Sequence, residues 1–141
     1  MKKVLFALAA FVVLAAWTTN KNQKVNGGTR FTFDLQGTSC DRNASGTATL
    51  ILNQGQGTIS YEITVSGVTS TITAAHIHEF PVGPDNVVVG LPSMNSSSFS
   101  GVVTLSKEEI KEIRQNPEEY YVNVHTSGCD GGAGLMGTVS K

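Results

Sequence analysis

Thr58-Ile59-Ser60-Tyr61-Glu62-Ile63-Thr64-Val65 decides the fold class of this chain. Ile59, Tyr61, Ile63 and Val65 alternate with Ser60, Glu62 and Thr64 in strict period two. Side chains of a β-strand point to opposite faces in turn, so this alternation predicts a strand with one face in a core and one in water. Gly67 ends it. Just before it, Gln54-Gly55-Gln56-Gly57 is a short hairpin-type loop, and residues 46–53 carry Ala48, Leu50 and Leu52 on one face. The two strands and the loop read as a hairpin.

The same reading extends in both directions. Residues 30–36 alternate Phe31, Phe33 and Leu35 with polar neighbours, and residues 37–46 form a turn-rich connection carrying Cys40. Beyond the hairpin, strands are expected at 72–78, 87–91, 99–105, 120–126 and 135–140. Pro/Gly- or Ser/Asn-rich loops lie at 79–86 and 93–98, and a glycine-rich loop around Cys129 spans 128–134. Ser106-Lys107-Glu108-Glu109 is a capping-box signature. It opens a short helix with Ile110 and Ile113 on one side, which must end by Asn116 because Pro117 disfavours helical geometry in the residue before it. About eight short strands at near-regular spacing, with one short helix, predict an all-β fold: an antiparallel Greek-key-like β-sandwich or barrel.

Met1-Lys2-Lys3 precedes an unbroken apolar run from Val4 to Trp17. A basic start followed by a short apolar run is the pattern of a secretory signal peptide, and the run is too short for a membrane span of roughly 20 residues. The expected organisation is a signal peptide at residues 1–16, a polar lead-in at 17–29 read as flexible, and one β domain over 30–141. Export to the periplasm or the exterior of a bacterial cell follows. Loss of Lys2 and Lys3 would move the formal charge from −1 to −3. A weakly acidic chain without a basic cluster is a poor match for nucleic acid or anionic membrane. The partner expected instead is an extracellular or periplasmic ligand, and no membrane span remains in the mature chain. In an oxidising compartment the two cysteines, Cys40 and Cys129, most simply form one disulfide. Cys129 lies four residues beyond His125, so a metal-ligand role is its alternative.

All three histidines fall in two strand-like segments, Ala74-Ala75-His76-Ile77-His78 and Tyr121-Val122-Asn123-Val124-His125-Thr126. Their neighbours Ala75, Ile77, Val122 and Val124 are apolar. If those point into the core, His76, His78 and His125 share the outer face of the sheet. Histidine is the commonest transition-metal ligand, and three imidazoles on adjacent strands could hold copper or zinc, copper being favoured by raw affinity. A fourth position would fall to water or to a carboxylate, with Glu79, Asp85 and Asp130 nearest in sequence. The competing reading is structural, with the histidines bonded to loop backbone and holding the strands in register. Tyr120, Tyr121 and Asn123 read as packing and polar-satisfaction residues. Ser96, Ser97 and Ser98 lack an acid–base partner, and no catalytic residue is assigned.

Residues 73–78, the Val87-Val88-Val89 run, Gly101-Val102-Val103 and residues 120–126 together resemble the CHRD domain, a module named from chordin and widespread in exported bacterial proteins. The resemblance runs from about Arg30 to Val139. It implies an exported β-sheet binding or structural module. One departure stands out: where that family carries a Gly-Glu-Ile-Arg-Gly type segment, this chain has Gly132-Ala133-Gly134-Leu135-Met136-Gly137, without the acid or the arginine. His76-Ile77-His78-Glu79-Phe80 is also similar to the copper-ligand strand of Cu/Zn superoxide dismutases. Three histidines cannot fill both metal sites of such an enzyme. The dismutase-like alternative is therefore a copper-dependent oxidoreductase built on a single ion at His76, His78 and His125.

Overall fold

In a computed structural model of the protein, residues 24–25, 27–92, 95–130 and 132–140 are described. Their strands are β1 (Lys24–Val25), β2 (Gly28–Gly37), β3 (Ser45–Asn53), β4 (Thr58–Ser66), β5 (Ile72–Glu79), β6 (Val87–Gly90), β7 (Ser98–Thr104), β8 (Tyr120–Thr126) and β9 (Ala133–Thr138). The helix α1 (Lys107–Gln115) lies between β7 and β8. Residues 1–16, read as a signal peptide, and residues 17–23 lie outside the described part. Residues 24–25 and 28–29, assigned to the lead-in from sequence, belong to the sheet, where β1 pairs with the start of β2.

Alternation in sequence becomes alternation in burial. In β4, Ile59, Tyr61, Ile63 and Val65 are buried while Glu62 and Thr64 are exposed. In β2 and β3 the same holds for Phe31, Phe33 and Leu35, and for Ala48, Leu50 and Leu52. Register brings these sets together, with Phe31 opposite Leu50 and Leu50 opposite Tyr61. The β3–β4 turn closes through Gly57, whose φ of 68° is in the left-handed region that glycine enters without strain. Asn53 Oδ1 accepts a hydrogen bond from the Gln56 amide at 3.1 Å across the same turn.

All these pairings are antiparallel, and they form one curled sheet in the order β6-β5-β8-β9-β2-β3-β4-β7. It falls into two halves, β6-β5-β8-β9 and β9's neighbour β2 with β3-β4-β7. The joint is narrow: Gln36 and Gly37 pair with Met136 and Leu135, and Phe33 bridges to Val139. Curling at this joint turns both apolar faces onto one core, which takes Phe33, Leu50 and Ile63 from one half and Ile77, Val122, Val124 and Leu135 from the other. Chain crossings between halves, from β4 to β5, from β6 to β7 and from β7 through α1 to β8, give the Greek-key character expected from sequence. β9 starts two residues earlier than the pattern predicts.

The helix closes the core from outside the sheet. Ile110 and Ile113 are fully buried in the main cluster. Ser106 caps the helix: its hydroxyl accepts from the Glu109 amide at 3.1 Å, and the Glu109 carboxylate accepts from the Ser106 amide at 2.9 Å. These reciprocal bonds occupy amides that the helix start leaves without partners.

Candidate metal centre

The face of β5 and β8 turned away from the core carries the site. Ala75, Ile77, Val122 and Val124 are buried in the core, as the sequence requires, so His76 and His78 on β5 share a face with Tyr121, Asn123 and His125 on β8. The register sets His78 opposite Tyr121, His76 opposite Asn123 and Ala74 opposite His125. One ring nitrogen from each of His76, His78 and His125 lies within 4.8 Å of the others. His76 Nδ1 and His125 Nε2 are 3.1 Å apart. Two ligands of a tetrahedral ion with bonds of 2.0–2.1 Å are separated by about 3.3 Å, so this pair stands close to the ligand spacing already.

Second partners fix which nitrogen of His125 is free. Its Nδ1 lies 3.0 Å from the Gly132 carbonyl oxygen, which accepts only from a protonated nitrogen. The Nε2 lone pair is thereby aimed at His76. A ligand histidine whose other nitrogen donates to a carbonyl is the usual arrangement at metal sites.

His78 departs from the sequence expectation of three imidazoles on an open outer surface. It is 2 % exposed. Tyr121 stacks on it, with ring centroids 5.0 Å apart and planes 18° from parallel, and Phe80 packs tilted against the Tyr121 ring at 4.8 Å. The loop at residues 80–86 is held over this stack, where the Gly83 amide donates to the Tyr121 hydroxyl at 3.2 Å. A local loop of Pro and Gly residues thus turns an outward position into a buried one. Neither His78 nitrogen has a hydrogen-bond partner among the described residues. Buried polar groups left without partners are rare and each carries a desolvation cost, so this orphaned ring calls for a ligand.

Electrostatics favour the neutral, ligand-competent forms of His76 and His78. Burial is the main cause that holds His76 below its ordinary value, followed by the charges of His125 and His78. Burial likewise lowers His78, with His125 second; the Gly83 backbone pulls weakly upward without reaching hydrogen-bond geometry. Among the described residues the clustered set consists of the three histidines alone. Glu79, Asp85 and Asp130, the carboxylates nearest in sequence, are exposed and do not join it. Nor does Cys129, which is bonded to Cys40 across 89 residues of chain with their Cα atoms 5.7 Å apart.

The protein-family model of the CHRD domain matches residues 18–133, a span containing all three histidines and both cysteines. The chain belongs to the CHRD domain family. No match is found among curated proteins, and none among solved structures. In this CHRD domain the disulfide joins the β2–β3 loop to the turn that follows β8, the strand that presents His125.

Beside that bridge lies a residue with no motif to announce it. Asp41 is buried, accepting from the Thr126 hydroxyl at 2.6 Å and the Thr69 hydroxyl at 3.1 Å. The Thr126 bond is the largest cause holding its carboxyl below the ordinary value of 3.8; burial opposes, and the Thr69 hydroxyl and amide add to the lowering. Gly134 permits the approach, because a Cβ there would lie 2.7 Å from Thr126 and 3.0 Å from Asp41 Oδ2. A carboxyl with a depressed folded value stabilises the fold fully above its unfolded value. That contribution fades as pH falls through the folded one. Asp41→Asn is therefore expected to lose about 1–3 kcal/mol at pH 7 and to flatten the acid limb of a stability–pH curve below about pH 4. Urea melts at pH 7 and pH 3 check both.

Proposed function

We propose that this protein is an exported CHRD module that binds one transition-metal ion, copper or zinc, through His76, His78 and His125. The observation that carries the reading is His78: a buried imidazole with neither nitrogen partnered among the described residues, facing two more imidazoles whose nitrogens already stand 3.1 Å apart. A structural role would give this ring a backbone acceptor, as His125 has in Gly132. The role of the module is binding rather than turnover, and its ligand set is entirely imidazole. Both metals accept imidazole, with copper preferred by intrinsic affinity. The partners are an extracellular or periplasmic ligand and the ion itself.

Export is supported by the apolar run before the domain, by the disulfide, and by the extracellular character of CHRD domains. Among the described residues no helix is long and apolar enough to cross a membrane.

Metal-stripped protein titrated with Cu(II) and Zn(II) by calorimetry is expected to take up one equivalent per chain with sub-micromolar affinity. Binding should weaken as pH falls through the lowered values of His76 and His78, below the ordinary 6.5, because the rings must be neutral to coordinate. Stoichiometry below one tenth of an equivalent for both metals would remove the reading. Mass analysis of the chain recovered from a bacterial periplasm should place the mature N-terminus near Trp17.

A further inference from the structure

We infer that Asn123 is a positioning residue of the same centre, its side-chain oxygen accepting a hydrogen bond from a water held in the ion's remaining position. The inference rests on the three-histidine reading. Asn123 is 7 % exposed, and its Oδ1 is buried without a hydrogen-bond partner among the described residues. It lies on the site's face, directly across from His76 and between Tyr121 and His125 along β8.

The rings gather at its rung. His78 and His125 stand two same-face rungs, four residues, apart on neighbouring strands, a separation of about 14 Å for side chains standing straight out of a sheet. Their ring centroids are 6.5 Å apart, so they lean toward each other, and His76 lies 5.6 Å and 4.9 Å from them. The rung between them is the one that holds His76 and Asn123. Asn123 therefore shares the central rung of the three imidazoles, and among the described residues on this face its amide is the group besides the rings with a buried polar atom left to pair. The nearest carboxylates in sequence are exposed and outside the cluster. The chemistry points to a neutral acceptor for a bound water, the function that outer partners of metal ligands commonly serve.

Leucine is close to asparagine in size and removes the acceptor. With Cu(II) as probe, Asn123→Leu is expected to keep one equivalent bound, lose about tenfold in affinity and shift the copper hyperfine splitting in the electron paramagnetic resonance spectrum. The metal-free variant should melt at or above the parent temperature, because an unpaired buried polar atom has been removed. Asn123→Asp, which retains an acceptor, should restore or exceed the parent affinity. A parent and Asn123→Leu pair with the same spectrum and affinities within twofold would overturn the inference while leaving the three-histidine site standing. A metal-free Asn123→Leu that melts well below the parent would assign Asn123 to the fold instead. If Asn123→Leu does not fold, Asn123→Thr is read by the same spectrum and affinity against Asn123→Asp. Failure of the parent itself to bind Cu(II) would remove both readings.

Discussion

His78→Leu is expected to lower copper affinity by more than about 100-fold, beyond the 10–100-fold that outer partners of metal sites carry. It should leave the metal-free protein as stable as the parent or more stable. The two halves of this result come from one cause. His78 is buried against Tyr121 under the loop at residues 80–86, with no hydrogen-bond partner for either nitrogen among the described residues. Leucine fills similar space and removes two polar atoms whose burial costs roughly 1–3 kcal/mol when unpaired. A histidine kept for the fold would give the opposite pattern, with stability lost and metal affinity beside the point. The pH dependence separates the cases again. His78 is held below its ordinary value of 6.5 by burial. Below that value the unfolded chain binds a proton that the folded chain resists, so stability is complete above about pH 6.5 and falls as pH drops toward the folded value. His78→Leu should lose that part of the decline, while His76, also lowered by burial, retains its own. Thermal melts between pH 5 and 8, beside copper titrations at pH 7.5, measure all of it. A metal-free His78→Leu that melts markedly lower, with copper affinity unchanged, would return the histidines to a structural role.

Replacing Cys40 and Cys129 together by alanine is expected to lower stability by about 4–5 kcal/mol, the chain-entropy value for closing a loop of this length. The bridge spans 89 residues and joins two segments that otherwise meet through the narrow β2–β9 joint and hydrogen bonds such as that of Thr126 to Asp41. For a domain of this size the loss corresponds to a melting temperature lower by roughly 15 °C. The consequence should reach the site. Cys129 follows β8, three residues beyond Thr126, whose hydroxyl is bonded to Asp41 next to Cys40. Without the bridge, the turn that supplies the Gly132 carbonyl to His125 loses one of its anchors. Copper affinity should fall several-fold in the double variant even at temperatures where it remains folded. Urea denaturation with and without reductant checks the first part: a change under 1 kcal/mol would mean that the Asp41 bonds and the β8–β9 pairing hold this end of the barrel by themselves.

Most of the fold was legible because its strands face a core on one side only. Where the sheet has a wet side and a dry side, period two appears directly in the residues, as at Ile59, Tyr61, Ile63 and Val65. The helix was legible because Ser106 and Glu109 write their cap into the sequence. The short β1 was not, since a two-residue pairing carries no period, and its partner is chosen by the start of β2. The start of β9 at Ala133 was not legible either, because Gly132-Ala133-Gly134 reads as a loop, whereas β8 and Asp41 require a backbone without bulk at Gly134.

The site divides in the same way. Sequence alone determined that His76, His78 and His125 share one face, because the alternation of Ala75, Ile77, Val122 and Val124 leaves them no other. It also led to the expectation that the two cysteines pair, as Cys40 and Cys129 do. Only the tertiary structure decided that one nitrogen of each ring comes within 4.8 Å of the others, since that depends on the register of β5 against β8 across 49 residues of chain. It alone decided that His78 is dry, because a loop folding back over Tyr121 is not a periodic feature. The same holds for Asn123, whose side chain reads as an ordinary polar strand residue until the three imidazoles close around its rung. Period two is set by the geometry of a single strand and is therefore written locally; register, cover and convergence arise between strands, where no short stretch of sequence records them.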